Sequence, residues 1–359
     1  MSGHVVVRVP ASTSNLGAGF DCVGVAVDRW LTVEAALEEG GERKEGGVPR
    51  NGSSPLLPLA SLLVERHGTL AGLDVAPEDD LLTDGFRVAC RAAGVAVPAG
   101  LHFRAHSEIP IARGLGSSAA AVVAGAAAAN VLLGLGLDDR ALVTVAADRE
   151  GHADNAAAAV CGGAVLVLGG GRRAEEGGGS GSRVHARERG PDVIVAELTV
   201  HPELALVFAV PDFAVETTHA RSILPRRVAH EVARLAVARG AALVRGLSTG
   251  EEALLSHALD DVLHVPYRRV LVPGYDAVTE AARRAGAYGG TLSGSGSSIV
   301  AVSPRACGDA VGAAMTVAWA AHGIPATYFT NAARVPGYSA TPDAQTPPQL
   351  TPQLAGTST

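Results

Sequence analysis

The chain of 359 residues contains a single lysine, Lys44, and every other basic side chain is arginine. That scarcity excludes several chemistries. There is no Gly-Lys-Ser/Thr of a Walker A loop and no strand lysine of the protein-kinase type. Lys44 lies in a Gly/Glu-rich segment, a poor place for a Schiff-base nucleophile. Any phosphate must then be held by backbone N–H groups, arginine or a metal ion. Cysteine is also sparse. Cys22, Cys90, Cys161 and Cys307 are scattered with no Cys-x-x-Cys, which predicts free thiols in a reducing cytoplasm.

No apolar run reaches the roughly 20 residues needed to span a bilayer. The longest, Ser118 to Leu133, is Ala-rich, stops at Gly134 and reads as a buried helix. The first residues lack the charged region and apolar core of a signal peptide. A net charge of −7 argues against a general nucleic-acid binder, which needs a basic face to displace counterions. It leaves a small phosphate ligand open, because backbone amides can hold one.

The apolar pattern predicts an α+β chain of two domains. Strands are expected at 5–9, 23–27, 31–35, 101–105, 164–168, 204–210 and 298–302. Helices are expected at 81–93, from Ser118 to Leu133, and at 138–150, 225–239, 250–259, 275–285 and 309–322. Residues 39–54 read as an exposed loop. Residues 169–192 turn abruptly Gly-, Arg- and Glu-rich and read as an insertion between a domain over 1–168 and one over 193–335. Residues 336–359 read as a disordered tail.

Four constellations carry chemistry. Pro110-Ile111-Ala112-Arg113-Gly114-Leu115-Gly116-Ser117-Ser118-Ala119 follows a strand and opens a helix. Two glycines let the backbone approach a ligand, and the helix start offers unpaired N–H groups and a positive dipole end. The same pattern also serves as a plain capping turn. A second Gly/Ser turn, Gly289 to Ser298, leads into a strand. The third is Asp148-Arg149-Glu150-Gly151-His152-Ala153-Asp154-Asn155. Mg²⁺ takes one or two carboxylates plus substrate phosphates, so Glu150 is the expected ligand and Asp148 the fallback. His152 has no histidine partner at helical spacing and reads as structural. The fourth, Val9 to Asp21, carries Asn15 and Asp21, which suit either a turn or a polar contact.

Taken together, VPASTSNLGAGFD, PIARGLGSSAAA, EGHADN with CGG, and GGTLSGSGSS resemble the GHMP small-molecule kinases, and within them the homoserine kinase branch. Two further stretches, Thr217 to Pro225 and Pro266 to Gly274, resemble that branch as well. The resemblance implies an N-terminal ribosomal-S5-like nucleotide domain and a C-terminal ferredoxin-like domain, with the site in the cleft between them. It implies ATP as phosphoryl donor, Mg²⁺ as its companion, L-homoserine as acceptor, and a homodimer. The ATP phosphates would lie on Pro110, Arg113, Gly114, Leu115, Gly116, Ser117, Ser118 and Ala119, with Mg²⁺ on Ser118 and Glu150. Asn15, Asp21, Arg221 and Arg268 would bind the substrate, and Asn155, Asp154 and Glu150 would serve catalysis.

Homoserine is a zwitterion with one hydroxyl. It calls for an anion, a cation and a polar group, and planar guanidinium suits its carboxylate. Kinases of the same superfamily acting on mevalonate, shikimate or a diphosphocytidyl sugar alcohol would not need an anion for ammonium. A nucleotide or amino-acid sensor on the same fold is the non-catalytic alternative. A dinucleotide oxidoreductase fails for want of a G-x-G-x-x-G opening a helix. Two departures from the branch stand out. Ser297 replaces its proline, and Asp80 replaces an asparagine that helps bind adenine.

Overall fold

The structure, a computed structural model, describes residues 3–37, 62–169 and 193–342. The expected loop at 39–54 and all but the first residue of the insertion at 169–192 lie outside these, as do residues 343–359 of the tail. In chain order the elements are β1 (His4–Ser14), β2 (Val23–Leu37), β3 (Leu62–Gly68), α1 (Leu81–Ala93), β4 (Leu101–Ser107), α2 (Ser117–Leu133), α3 (Asp139–Glu150), α4 (Asp154–Cys161), β5 (Ala164–Leu168) and β6 (Ile194–Leu198). There follow β7 (Leu204–Pro211), α5 (Thr217–Ser222), α6 (His230–Thr249), α7 (Glu252–Ala258), α8 (Val265–Arg268), α9 (Tyr275–Arg284), β8 (Gly289–Leu292), β9 (Ile299–Pro304), α10 (Gly308–Ala321), β10 (Ala326–Asn331) and β11 (Ser339–Pro342).

The first sheet runs β11-β1-β2-β4-β3, with β5 on β2 and β6 on β5. Val5, Val7 and Val9 alternate into its core, as period-2 patterning requires. Beyond Val9 the alternation ends: Ser12, Thr13 and Ser14 are all buried. Three consecutive buried hydroxyls need partners, and their partners build the site described below. Behind the sheet, α2 is apolar on nearly every side and sinks into the core, with Ala119, Ala120 and 122–129 all buried.

The second sheet has the order β10-β7-β9-β8, entirely antiparallel. Its chain order β7-α9-β8-β9-α10-β10 gives strand order 4-1-3-2, the split βαβ arrangement of a ferredoxin-like unit. Helices α9 and α10 cover it around Trp319, Met315 and Val278. The two-domain α+β expectation therefore stands.

Several boundaries differ from the sequence reading. The strands expected at 23–27 and 31–35 are one strand, β2, because β1 pairs along its whole length and absorbs the irregularity by a register shift at Pro10/Ala11. β6 pairs with β5, so the first sheet extends past residue 193, where the second domain was expected to start. The chain returns at its end to the first sheet: Ser339–Pro342 pair with Val5–Arg8, so this part of the expected tail is strand. The helix expected at 225–239 starts instead at His230 and continues to Thr249, where Gly250 ends it in a left-handed conformation. Among the described residues no helix is long and apolar enough to cross a membrane.

Candidate active site

The phosphate-loop candidate sits where β1, α2, α4 and the 289–298 turn converge. Gly116 precedes α2 with φ +65°, and Gly114 has φ +70°. A Cβ on Gly116 would fall 2.1 Å from Ser12 Oγ, and one on Gly114 would fall 2.0 Å from the Ser293 carbonyl oxygen. Glycine is thus demanded twice, by the dihedral and by crowding. No side chain caps the start of α2, so its first N–H groups stay available to an anion. Ser118, in the first turn, is exposed. Leu115 and Ala119 are buried and shape the loop from below; the Leu115 carbonyl accepts from Ser12 N–H at 3.2 Å.

Arg113 does not point freely into the site. Its Nε donates to the Pro211 carbonyl at 3.0 Å and its Nη1 to Ile111 at 3.1 Å, and Asp212 lies 3.6 Å away. It ties the loop to the end of β7. The second Gly/Ser turn is fastened to the first: Ser293 Oγ donates to the Gly114 carbonyl at 2.6 Å, and Ser298 N–H to Arg113 at 3.3 Å. At the departing position, Ser297 Oγ donates to the Phe213 carbonyl at 2.5 Å, which anchors the turn in place of a proline ring.

Glu150 closes α3 and Asp154 opens α4, with Gly151, His152 and Ala153 between them. Glu150 Oε2 is sealed from solvent and has no hydrogen-bond partner. Burial raises its pKa above the ordinary glutamate value, partly opposed by His152, a Ser118 hydrogen bond and Arg149. An unpartnered buried carboxylate oxygen is costly and awaits a cation. Ser118 hydroxyl plus Glu150 carboxylate is a hard-oxygen pair that suits Mg²⁺ rather than zinc. Asp148 is exposed and stands outside this pair.

Asp154 is fully buried. Its Oδ1 accepts from Asn155 N–H at 2.8 Å and meets His152 Nδ1 at 2.9 Å, while Oδ2 has no partner. Burial would lower the His152 pKa, but the Asp154 hydrogen bond and charge outweigh it and raise the pKa. Asn155 is gripped by two of the buried β1 hydroxyls. Ser12 Oγ donates to Asn155 Oδ1 at 2.9 Å, and Asn155 Nδ2 donates to Ser14 Oγ at 2.9 Å. The third, Thr13, bonds Ser293 Oγ at 2.8 Å.

A cluster of aspartate and arginine lies near these carboxylates. Arg221 of α5 forms a two-pronged ion pair with Asp21, at 2.9 and 3.3 Å, with both side chains about one-third exposed. Burial would lower the Arg221 pKa, but the Asp21 hydrogen bonds and charge raise it. Arg268 is only 1% exposed. Its Nε donates to the Ala220 carbonyl at 3.0 Å. Burial and the Arg221 charge bring its pKa down to about 10. Asn15 turns inward. Its Nδ2 donates to the Gly294 carbonyl at 3.1 Å, and its Oδ1 accepts from Asp21 N–H at 2.9 Å. It therefore clamps the loop that carries Asp21.

Sequence reasoning did not find Ser12, Ser14, Thr13 or Ser293, whose partners lie over a hundred residues away. Their only local signal was a run of hydroxyls continuing a buried strand. Asp80, expected near a purine, is committed elsewhere: Oδ1 caps α1 at Leu82 N–H, and Oδ2 binds Arg66 at 2.6 and 2.8 Å. Its carboxylate is a structural link between β3 and α1.

The chain is similar to known kinases along most of its length. The family model for the GHMP kinases N terminal domain matches residues 80–163, and that for GHMP kinases C terminal matches 241–321. A homoserine kinase of Synechococcus sp. is 35% identical over 321 residues, covering 89% of this chain and 92% of that protein. One of Moorella thermoacetica is 36% identical over 322 residues, covering 90% and 95%. The crystal structure of homoserine kinase from Cytophaga hutchinsonii superposes with a TM-score of 0.75 at 28% identity, covering 94% of this chain and 97% of that one. A phosphomevalonate kinase of Streptococcus pneumoniae, 14% identical with a TM-score of 0.57, shares the fold alone. With curated relatives of 35% and 36% identity matched along nearly their whole length, the chain belongs to the homoserine kinases of the GHMP kinase family.

Proposed function

We propose that this cleft transfers the γ-phosphoryl group of ATP to the hydroxyl of L-homoserine, giving ADP and O-phospho-L-homoserine. The observation that carries the reading is the Asp21–Arg221 pair beside buried Arg268, linked through Gly294, whose carbonyl accepts from Asn15 and Arg268, to the Gly114 turn that leads into the uncapped start of α2. An amino acid supplies the complement to both signs of charge. Its ammonium takes Asp21 and its carboxylate takes Arg221 and Arg268, in place of the ion pair they now form with each other. Backbone N–H groups of 114–118 cradle the phosphates, and Ser118 with Glu150 holds Mg²⁺. The ion neutralises charge on the β- and γ-phosphates when bound.

Phosphoryl transfer asks the protein mainly for position and charge neutralisation. Asn155, locked by Ser12 and Ser14, keeps one donor and one acceptor site unused and can orient the hydroxyl. No carboxylate is set aside as a dedicated base: Glu150 serves the metal, Asp21 the ammonium, and Asp154 is fully buried, with Oδ1 held by His152 and Asn155 N–H and Oδ2 enclosed without a partner. The hydroxyl proton therefore passes to an oxygen of the transferred phosphoryl group as the new O–P bond forms. A cytoplasmic homodimer completes the reading.

The test is ADP release from Mg·ATP with L-homoserine, mevalonate, shikimate or no acceptor. Homoserine alone should support release. Release with a different acceptor would keep the kinase and reassign the pocket; none with any acceptor would favour a sensor. Within that assay, Arg268→Ala should raise the homoserine KM by about 10- to 100-fold, since a hydrogen bond to a charged group contributes roughly 1.5–3 kcal/mol. The ATP KM should change less than about twofold. Equal effects on both substrates would make Arg268 a structural residue.

A further inference from the structure

Arg268 poses an energetic problem that the substrate alone does not solve. A buried guanidinium normally has a carboxylate in direct contact. Among the described residues none lies within ion-pairing distance of Arg268. Its direct contacts are the carbonyls of Ala220 and Gly294, at 3.0 and 3.4 Å, and the Phe20 ring, 5.3 Å from its Cζ. The compensating charge must come from a second layer.

Asp261 supplies it. Its side chain is 1% exposed. Oδ2 accepts from the N–H groups of Leu263, His264 and Val265, at 3.0, 2.6 and 2.8 Å. These bonds pin the start of α8, whose last residue is Arg268. Oδ1 is buried with no partner, so the carboxylate keeps most of its field. Together with the charges of Asp21 and Asp154, that field stabilises the Arg268 cation.

The same segment reaches the opposite pole of the pocket. His264, fully buried, lies 3.8 Å from Asp261 Oδ2 and 3.4 Å from the Gly17 carbonyl. Its ring stacks on Phe20 at 5.0 Å. Gly17 and Phe20 belong to the loop that ends at Asp21, and Ala18 N–H also bonds the Ala258 carbonyl at 2.9 Å. Asp261 thus holds the cation through α8 and touches the anion's loop through His264.

We propose that Asp261 is a positioning residue for homoserine recognition: it fixes α8 and supplies the buried negative charge that keeps the Arg268 guanidinium set for the substrate carboxylate. This rests on the assignment of Arg268 to that carboxylate. Asp261→Asn keeps an acceptor for the α8 amides and deletes the charge. It should raise the homoserine KM about tenfold, with kcat and the ATP KM within about twofold, as expected for a loss confined to ground-state binding. In an Arg268→Gln background the same substitution should change the homoserine KM less than about twofold, because the group it acts through is gone.

Steady-state kinetics with thermal unfolding of all variants decides the matter. A purely structural role would lower the melting temperature and scale kcat by the active fraction, leaving the homoserine KM alone. That outcome overturns the proposal, as does an equal KM factor in both backgrounds. Failure of the unmutated enzyme to turn over homoserine would overturn the substrate reading and the proposal with it. Should Asp261→Asn fail to fold, Asp261→Glu, which keeps the charge but displaces it against the α8 amides, decides: an unchanged homoserine KM, or the same factor with Arg268→Gln, refutes the coupling.

Discussion

Glu150→Gln should lower turnover by about 10³-fold or more, the scale seen when a main electrostatic element of a transition state is removed. The fold should survive intact. Glutamine matches the shape of the side chain but brings an uncharged amide where the cation must sit. Folding should not suffer, because the native carboxylate is itself a liability: Oε2 is sealed and unpartnered, and burial pushes its pKa up. Removing a buried unpaired charge is neutral or stabilising. The melting temperature without Mg²⁺ should therefore hold or rise, while the stabilisation by Mg·ATP shrinks. Titrating ADP release and melting temperature against Mg²⁺ checks both halves. Near-native turnover at saturating Mg²⁺ would move the metal to Asp148, which lies exposed at the end of the same helix.

The contrast between Glu150 and Asn155 shows what a single sequence reveals about such a site. Glu150 was legible because its chemistry is local: a carboxylate at a helix end, a few residues from Asp154 and His152. So was helix α1, bracketed by a capping Asp80 and a left-handed Gly94. The environment of Asn155 was not legible, because Ser12 and Ser14 reach it from 143 and 141 residues away. Pairing at that range depends on how strands align, and alignment leaves no trace in local composition. The same reason explains β2. Asp28-Arg29-Trp30 looks like a break between two strands, yet β1 pairs with Val27 before it and with Trp30, bulging past Asp28 and Arg29. It also explains β6 and β11, short segments of five and four residues that become strands because an edge of the first sheet is there to receive them. Asp80 is the sharpest case. Its identity departs from the resemblance at a purine contact, but Arg66, 14 residues earlier, gives the carboxylate a structural use.

Gly114→Ala should cost about 2–5 kcal/mol of stability and about 10²-fold in kcat/KM for ATP. The first figure joins two terms. An L-residue in the left-handed region loses roughly 1–2 kcal/mol, and overpacking against rigid neighbours typically costs about 1–3 kcal/mol. The neighbours are rigid here: the new methyl would meet the carbonyl oxygens of Ser293 at 2.0 Å and Gly296 at 2.9 Å, and backbone cannot rotate aside as a side chain can. Relief must come from parting the two Gly/Ser loops. That breaks the Ser293-to-Gly114 hydrogen bond and shifts the amides that face the phosphates. A displacement of about 1 Å is enough for a hundredfold loss in a reaction that runs on alignment. Gly134→Ala separates strain from crowding. Gly134 has φ +61° but nothing within 4 Å of its would-be Cβ, at the far end of α2. It should lose only about 1–2 kcal/mol and leave the ATP kinetics unchanged. Denaturant midpoints and ATP kinetics for the two variants make the comparison. If Gly114→Ala behaves like Gly134→Ala, the loops give way without penalty, and the contact between them does not set the phosphate geometry.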